Sequence, residues 1–456
     1  MTEQENKPEM PTISSAVKNI AHTAAKLYSK LSSPMTNLPQ RSHTPIPIST
    51  NILIVGGAYA GIAALRALQI NLSSRIPKDG NKISITLVEP KDGLLNILGI
   101  SRSIVSTQFA QTQYIPFNKL DHIRFNSIIS DDVSKQHYDS SWFTQAGDAY
   151  ENQLQLNFIH GRITSLDLQS AEYTLNNSTT ETGKIEFDYV IMASGRDRNW
   201  PTTPLANTQQ QFLDEVGRAK SQIEQANIIS IIGAGAVGTE IAGDIKTAYP
   251  DKTVNLIHPH EHFPPEPLSL EFKTMVQDSI ERSGVNIYLN TRIEKVLDDN
   301  NNLLTTSQKV IESDLNFHCC SKHNNTLFLS PQLQDYIVNG QVNTNDYLQL
   351  TNPNTHLTQE NFFVVGDLVN FPIIKSAEWA MYMGRQVANN ITSLIFDATL
   401  VEPMPDLSSM PYGMVIVGGN EEIISELLGD VQLNHEGYKK EYLDYCIGKV
   451  RATLDV

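Results

Sequence analysis

The most regular pattern along the chain is a short apolar run that ends in a glycine-rich turn and leads into a helix-like stretch. It occurs first at residues 52–61, with the sequence ILIVGGAYAG, and again at residues 228–238, with the sequence IISIIGAGAVG. An unbroken apolar run of this length indicates a strand that is buried on both faces, as in a parallel sheet. Each segment therefore predicts a strand, a tight turn and a helix, in that order.

Further short apolar runs predict strands at residues 83–89, 189–195, 253–257 and 361–367. The first of these ends in Glu89, and the last ends in Asp367 and precedes a helical pattern from about 376 to 391. The second glycine turn and its neighbouring strand fall between parts of the first unit. We therefore expect the second unit to be inserted into the first.

These patterns predict an α/β fold with two Rossmann-type dinucleotide-binding domains of the three-layer ββα kind, and a small C-terminal α+β region. The predicted segments are an N-terminal extension and linker at 1–50, an FAD-binding domain at 51–215 and 326–395, an NAD(P)H-binding domain at 225–322, and the C-terminal region at 396–456. Two adjoining dinucleotide sites predict a flavin that faces a nicotinamide cofactor, which suits electron transfer.

Composition and charge narrow the class of protein. A chain of 456 residues is long enough for two or three domains. It has 34 Lys and Arg against 50 Asp and Glu, a formal charge of −16, and no basic tract, so we expect no nucleic-acid binding. The three cysteines, Cys319, Cys320 and Cys446, show no metal-ligand spacing, which indicates a reducing compartment and no metal site.

The N-terminal extension carries apolar residues at helical spacing between positions 13 and 31, with lysines and no acid among them. A helix that lies on a membrane surface is one interpretation. A helix docked on the protein, or one only partly ordered, is the other, and the alanine-rich apolar face favours it. We expect neither a membrane span nor a secretory signal, because no run is long enough to span a bilayer and the first residues lack a basic flank and an apolar stretch. Thr2 stands where N-myristoylation needs glycine. We expect a cytoplasmic protein.

The first turn has residues suited to a dinucleotide. Gly56 permits the tight bend, and Gly61 permits close packing of the helix on the strand, while the helix N-terminus offers N–H groups to a diphosphate. Ala58 occupies the position of the usual second glycine and allows a slightly less close approach. Glu89 ends the next strand, where a carboxylate can accept hydrogen bonds from ribose hydroxyls.

The second turn is complete. Its glycines are Gly233, Gly235 and Gly238. Glu240, which we expect on the first turn of the helix, could meet the nicotinamide ribose or carboxamide, or could simply be an acid favoured by the helix dipole. The second strand of this unit ends in His258 where an acid would favour NADH, so neither NADH nor NADPH is excluded. A solvated loop histidine is the alternative for His258.

Asp367 completes the cofactor prediction. A carboxylate that follows a short buried strand can bind the ribityl chain of FAD. The N-terminus of the following helix can point at the flavin O2 edge and stabilise the charge that develops on reduction.

Residues 242–258, with the sequence AGDIKTAYPDKTVNLIH, and residues 96–102, with the sequence NILGISR, resemble a known family. They are similar to the apoptosis-inducing-factor-like flavoproteins, and most similar to the mitochondrion-associated 2 (ferroptosis suppressor protein) branch. The resemblance extends from about residue 51 to 420.

This resemblance implies a set of cofactor contacts and an activity. FAD would be bound by Gly56, Gly57, Ala58, Tyr59 and Ala60, by the side chain of Arg102, by the backbone at Ile163 and by Asp367. Lys375 matches a lysine near the flavin, and with Glu240 it is our candidate catalytic residue. The implied activity is oxidation of NAD(P)H, with electrons passing through FAD to a quinone or similar acceptor. Peripheral attachment to mitochondria or lipid droplets is also implied.

The chain departs from the branch at three places. Cys319-Cys320-Ser321 stands where the branch usually has Cys-Thr-Gly, and residues 322–324 contain no proline. Glu378 stands where an aromatic residue is often found beside the flavin, and position 2 is not glycine. The first two departures leave the acceptor open.

Two other functions are alternatives to the transfer of electrons from NAD(P)H to a quinone. A disulfide reductase needs a cysteine pair near the first acidic strand, and residues 90–110 contain no cysteine. A flavin-binding interaction protein with little turnover is compatible with the acidic surface and the altered 319–324 turn. The sequence leaves the electron acceptor, the choice between NADH and NADPH, and the oligomeric state open.

Overall fold

The structure is a computed structural model that describes residues 49–76, 82–132, 138–145, 154–178, 180–297 and 301–456. The predicted N-terminal extension, with its proposed membrane contact through 13–31, lies almost wholly outside the described residues. Within them, no helix is both long and apolar enough to cross a membrane.

Nine α-helices are formed by the described residues. They are α1 (Tyr59–Arg75), α2 (Ile100–Ser103), α3 (Thr107–Gln113), α4 (Gln209–Gln225), α5 (Ala236–Ala248), α6 (Leu270–Arg282), α7 (Ala377–Asp397), α8 (Glu436–Tyr442) and α9 (Ile447–Leu454). The helix predicted at 376–391 is α7, which continues to Asp397.

The described strands are numbered in chain order. They are β1 (Ser49–Val55), β2 (Lys82–Glu89), β3 (Gly93–Leu95), β4 (Tyr114–Pro116), β5 (Ser127–Ile129), β6 (Leu154–Leu166), β7 (Ser170–Leu175), β8 (Thr182–Glu186), β9 (Tyr189–Met192), β10 (Arg196–Arg198), β11 (Ile228–Ile232), β12 (Thr253–Ile257), β13 (Asn286–Tyr288), β14 (Ile293–Val296), β15 (Leu303–Thr305), β16 (Val310–Ile311), β17 (Leu315–His318), β18 (Ser321–Asn324), β19 (Ile337–Val338), β20 (Gln341–Val342), β21 (Gln349–Thr351), β22 (Thr358–Val364), β23 (Met414–Val417), β24 (Ile423–Leu427) and β25 (Asp430–Leu433).

The larger sheet has the order β21-β22-β9-β1-β2-β6-β7-β8, with β5 paired to β6. Strands β22, β9, β1 and β2 and the first half of β6 run parallel, which explains their continuous apolar sequences. At Gly161 strand β6 leaves β2 and pairs antiparallel with β7. A Cβ on Gly161 would lie 2.2 Å from the Thr174 carbonyl oxygen, so only glycine fits this crossover into the third layer.

Helices α1 and α7 share the apolar core of this sheet and pack closely together. A Cβ at Gly384 of α7 would lie 2.2 Å from the carbonyl oxygen of Ala60 in α1. The backbones can approach this closely only because position 384 has no side chain. The start of α1, which bears the first glycine turn, is thereby fixed against α7.

The second sheet is parallel and has the order β13-β12-β11-β17. It falls in sequence between β9 and β22, which are neighbours in the larger sheet, so the second unit is inserted into the first. Strands β10 and β18 pair antiparallel where the chain leaves and re-enters. The predicted α/β fold with two dinucleotide-binding units is confirmed, whereas the exact domain boundaries stay a prediction.

The C-terminal region contacts both units. Strands β23, β24 and β25 form an antiparallel sheet, and Ile416 and Ile424 of this sheet join the apolar core of the inserted unit. In α9, Val450 and Leu454 join the core of the first unit instead. The C-terminal region therefore packs against both nucleotide-binding units.

Candidate functional site

The two glycine turns have the same construction. Gly56 and Gly233 have φ values of +105° and +107°, a conformation that glycine adopts readily. A Cβ on Gly61 would lie 1.8 Å from the Gly56 carbonyl oxygen, and a Cβ on Gly238 would lie 1.9 Å from the Gly233 carbonyl oxygen. These four glycines are therefore required by backbone packing at each turn.

The helices that follow the turns begin without a side-chain cap. The N-cap residues are Ala58 for α1 and Gly235 for α5, and neither first turn contains an acid. By contrast, helices α3, α4, α6 and α7 each begin with a Ser or Thr whose side chain accepts a backbone N–H. The exposed N–H groups and positive dipole ends of α1 and α5 suit an anionic diphosphate.

The N-cap residue of α5, Gly235, has open space beside it. No described atom lies within 4 Å of a Cβ built on Gly235. This position therefore faces open space, although its neighbours Gly233 and Gly238 are closely packed. The packing of α5 does not require glycine here, whereas close approach of a dinucleotide does.

Glu89 is positioned by the first turn, as the sequence predicts. The side chain is buried and its carboxylate accepts the backbone N–H of Gly57 at 2.6 Å and of Lys91 at 3.0 Å. The carboxylate thus lies at the end of β2, beside the turn. This is the place where a carboxylate can bind the adenosine ribose of FAD.

His258 occupies the matching place in the second unit. Its Nδ1 accepts the backbone N–H of Ala234 at 3.3 Å, and the side chain is buried. The alternative of a solvated loop histidine is therefore wrong. Burial, and then the neighbouring His260, lower the pKa of His258 to about 4, so the ring is neutral at physiological pH. Its Nε2 has no hydrogen-bond partner within the described part of the chain.

Asp367 lies at the carboxyl end of the larger sheet, and two arginines that sequence reasoning missed bind it. Nε of Arg196 donates to its Oδ2 at 2.8 Å, and Nη2 of Arg198 donates to the same atom at 3.2 Å. Burial, followed by the charge of Arg196, lowers the pKa of Arg198. The available signal was the triplet Arg-Asp-Arg immediately after Gly195.

Lys375 lies near this cluster. Its Nζ donates to the carbonyl oxygens of Val369 and Phe371. Burial lowers its pKa to about 8, with the Asp367 charge opposing this shift and the Arg196 charge adding to it. Two arginines therefore bind the carboxylate that we predict to bind the ribityl chain, and Lys375 is near enough for its charge to interact with that carboxylate.

Tyr59 and Ile163 are placed differently. Tyr59, at the start of α1, is buried and donates from its hydroxyl to Asn96 Oδ1 at 2.6 Å, so the turn is linked to the 96–102 loop. Ile163 lies in the antiparallel half of β6, opposite Tyr173, at a register shift. The predicted backbone contacts of Gly57, Ala58, Tyr59, Ala60 and Ile163 with FAD stay predictions.

Arg102 is engaged by the protein itself. Its guanidinium donates to Asp244 of α5 and to the carbonyl oxygen of Leu443. The ion pair joins the first unit to the inserted unit. The predicted side-chain contact with FAD stays a prediction, and the contacts observed for Arg102 serve the interface between the units instead.

Glu240 is half-buried on α5, and its Oε1 accepts the Val417 N–H at 3.3 Å. Burial raises its pKa to about 8, the Val417 N–H opposes this shift, and the charge of Asp244 adds to it. Glu240 lies in the second turn of α5 rather than the first, and its raised pKa distinguishes it from an acid that only complements the helix dipole.

The two cysteines of the altered turn pack against the second glycine turn. The Cys319 carbonyl oxygen and Cys320 Sγ lie 3.0 and 3.1 Å from a Cβ built on Gly233. Cys319 is half-buried, Cys320 is exposed, and all three thiols are free. Burial raises the pKa of both adjacent thiols. These features do not match a redox-active pair beside the flavin.

Each parallel sheet has a strand that leads through a glycine turn into a helix without a side-chain cap. This arrangement, present twice, is that of a protein that binds two dinucleotides. A family model described as pyridine nucleotide-disulphide oxidoreductase matches residues 50–384. The chain belongs to this family. It is an NAD(P)H-dependent flavoprotein oxidoreductase with FAD as prosthetic group, and the residues at both turns fit these cofactors.

Curated relatives cover most of the chain at low identity. Oxidoreductase OXR1 of Ajellomyces capsulatus is 26% identical over 410 residues, which cover 82% of this chain and 80% of the relative. Ferroptosis suppressor protein 1 of Xenopus laevis is 24% identical and covers 91% of this chain and 96% of the relative. The predicted resemblance is therefore confirmed.

Solved structures show the same fold. NDH2 from Plasmodium falciparum in complex with NADH has a TM-score of 0.63 at 11% identity and covers 89% of this chain and 96% of its own. The water-forming NADH oxidase from Lactobacillus brevis bound to NADH has a TM-score of 0.56 at 16% identity, with 86% and 77% covered.

Proposed function

We propose that this oxidoreductase passes electrons from NAD(P)H through FAD to a quinone or a similar small acceptor. The observation that carries the proposal is the pair Arg196 and Arg198, which both donate to Asp367, with Lys375 near enough for its charge to interact with that carboxylate. No thiol pair competes as acceptor in this site. An acceptor that gains negative charge as it is reduced is stabilised by nearby fixed cations.

Each part of the site has a separate task. The uncapped ends of α1 and α5 would bind the two diphosphates. Glu89 and His258, which accept backbone N–H groups of the two turns, would bind the respective ribose groups. Asp367 would orient the ribityl chain of FAD. When bound, FAD supplies the chemistry that accepts a hydride and passes electrons onward. The protein contributes binding, orientation and electrostatics.

Lys375 is the residue to which we assign charge compensation. Because its pKa is about 8, it is mostly charged at neutral pH and can also release a proton. Lys375 immediately precedes Ser376, the N-cap of α7, so its charge lies at the end of the helix whose dipole also favours negative charge. It therefore supports reduction of the acceptor without acting as a nucleophile.

The second candidate is a flavin-binding interaction protein whose reduced state governs partner choice. The observation that favours this second candidate is the altered turn at Cys319 and Cys320, which packs directly on Gly233. We also propose a cytoplasmic location with peripheral attachment to mitochondria or lipid droplets, to which the segment 13–31 would contribute.

A panel of acceptors tests the proposal. Purified protein loaded with FAD is reduced by NADH or NADPH under anaerobic stopped flow and then mixed with water-soluble quinones, ferricyanide or oxygen. We expect rapid, repeated turnover with quinones. Stoichiometric flavin reduction without turnover with any acceptor would support the interaction protein and contradict the enzyme.

A further inference from the structure

The two nucleotide-binding units differ in the residue at the end of their second strand, although that residue makes the same contact in both. In the first unit, Oε2 of Glu89 accepts the N–H of Gly57, the second residue of the glycine turn, at 2.6 Å. In the inserted unit, Nδ1 of His258 accepts the N–H of Ala234, the second residue of its own turn, at 3.3 Å. His258 therefore occupies the place of an acid.

This exchange changes what the end of the strand offers to a ribose. A carboxylate has two oxygens, so one can bind the turn while the other accepts the ribose 2′-hydroxyl, and its charge repels a 2′-phosphate. A neutral imidazole has a single acceptor nitrogen, and in His258 the N–H of Ala234 already occupies it. His258 therefore leaves only the Nε2–H donor for a ribose or phosphate oxygen, and it brings no charge against a 2′-phosphate.

Two further basic side chains flank His258. The ring of His260 contacts that of His258, with the centroids 5.3 Å apart, and the His260 side chain is exposed. The loop after β13 is bonded to the same segment, since the N–H of Thr291 donates to the His258 carbonyl oxygen at 2.9 Å. The N–H of Asn290 donates to the His260 carbonyl oxygen at 3.1 Å. Arg292, the next residue of this loop, is therefore held beside the end of β12.

The Arg292 side chain is available to a ligand. It is exposed, and among the residues that the structure describes it has neither a carboxylate partner nor a hydrogen bond. Burial raises the pKa of the Cys320 thiol, and the charge of Arg292 opposes this shift. Because Cys320 Sγ lies 3.1 Å from a Cβ built on Gly233, the guanidinium is near enough to the second glycine turn for its charge to act there.

The acids of the same two segments do not neutralise Arg292. Oε2 of Glu294, on β14, accepts the side-chain amide of Gln308 at 2.9 Å. Burial raises the pKa of the half-buried Glu266, and the charge of Arg196 in the first unit is among those that oppose this shift, so Glu266 lies on the side of the first unit. Glu261 is exposed, so water weakens the effect of its charge.

We propose that the inserted unit selects NADPH over NADH, with the 2′-phosphate of the adenosine ribose bound by Arg292 and His260 beside His258. A guanidinium binds a phosphate through two parallel N–H donors, and an imidazole N–H donates to a further phosphate oxygen. NADH lacks this phosphate and would enter the same crevice with lower affinity. The inference rests on the proposed transfer of electrons from NAD(P)H to an acceptor.

Two nucleotides that differ only in the 2′-phosphate test the proposal without any hydride transfer. Calorimetry measures the Kd of the FAD-loaded protein for adenosine 2′,5′-bisphosphate and for 5′-AMP. Steady-state turnover with a water-soluble quinone gives kcat/KM for NADPH and for NADH in parallel. The variants are Arg292→Gln and His260→Ala, and Lys295→Gln, which removes an exposed cation from β14, is the charge-matched control. Flavin content and thermal melting show that each variant is folded.

We expect the wild type to bind the bisphosphate at least about tenfold more tightly than 5′-AMP, and to prefer NADPH over NADH by a similar factor in kcat/KM. Arg292→Gln should remove most of this preference, His260→Ala should remove part of it, and Lys295→Gln should keep it. Equal affinity of the wild type for the two nucleotides, or a loss of preference in Lys295→Gln as large as in Arg292→Gln, would overturn the inference. Bisphosphate binding without reduction of the flavin by either NADPH or NADH would instead refute the proposed function.

Discussion

Gly235→Val offers the sharpest test of where NAD(P)H binds. Position 235 is the uncapped N-cap of α5, and no described atom lies within 4 Å of a Cβ built there. Its φ of −73° and ψ of 179° are also accessible to valine. The substitution should therefore cost the folded protein less than about 1 kcal/mol, and any large effect must come from the ligand.

The expected loss of NADH affinity in Gly235→Val can be estimated from the surroundings of position 235. A branched side chain would occupy the space through which a diphosphate reaches the N–H groups of α5. Hydrogen bonds to charged groups each contribute about 1.5–3 kcal/mol. Loss of two of them is worth roughly 3–6 kcal/mol, which is a Kd for NADH weakened about 10²- to 10⁴-fold.

The assay is anaerobic stopped-flow reduction of the flavin over a range of NADH concentrations, with thermal melting in parallel. Dithionite reduction confirms that FAD is bound and competent. Gly238→Ala is the structural control, since its Cβ would lie 1.9 Å from the Gly233 carbonyl oxygen and should destabilise the inserted unit. NADH reduction of Gly235→Val at the wild-type Kd would show that NAD(P)H does not bind at this turn, and loss of FAD from this variant would show that the two cofactor sites are not separate.

Three further predictions concern the flavin side and the ribose sites. Asp367→Ala should lower flavin occupancy and weaken FAD binding about tenfold, because a carboxylate hydrogen bond is lost; absorbance of the purified protein measures this, and full flavin retention would remove Asp367 from the site. His258→Asp should lower kcat/KM for NADPH relative to NADH at least about tenfold, since an acid there repels a 2′-phosphate; an unchanged ratio would place the ribose elsewhere. Lys375 is charged below and neutral above its pKa of about 8, so reoxidation by quinone should slow as the pH rises through 8. In Lys375→Gln we expect a slower rate without this pH dependence, and a persistent limb would exclude Lys375 as its source.

The local features of the fold could be predicted from the sequence because local backbone requirements determine them. Gly56 and Gly233 need positive φ, and Gly61 and Gly238 need the absence of a Cβ within a few residues of the same turn. These constraints act over short stretches of chain, so they appear in the sequence as a regular spacing of glycines. The apolar strands that flank the turns follow from burial on both faces.

The charged contacts of the site could not be predicted, because their partners are far apart in sequence. Arg196 binds Asp367 across 171 residues, and Arg102 binds Asp244 across 142 residues. Tyr445 reaches Asp244 from the C-terminal region, where no motif indicated a role. The charge states of Glu240 and Lys375 depend on burial that only the assembled fold creates.

The most direct test of the central claim is an anaerobic titration of the FAD-loaded protein with NADH, followed by addition of a water-soluble quinone, with flavin absorbance as the readout. We expect the flavin absorbance to disappear with one equivalent of NADH and to return when the quinone is added, through repeated cycles. Bound FAD that dithionite reduces but neither NADH nor NADPH reduces would contradict it.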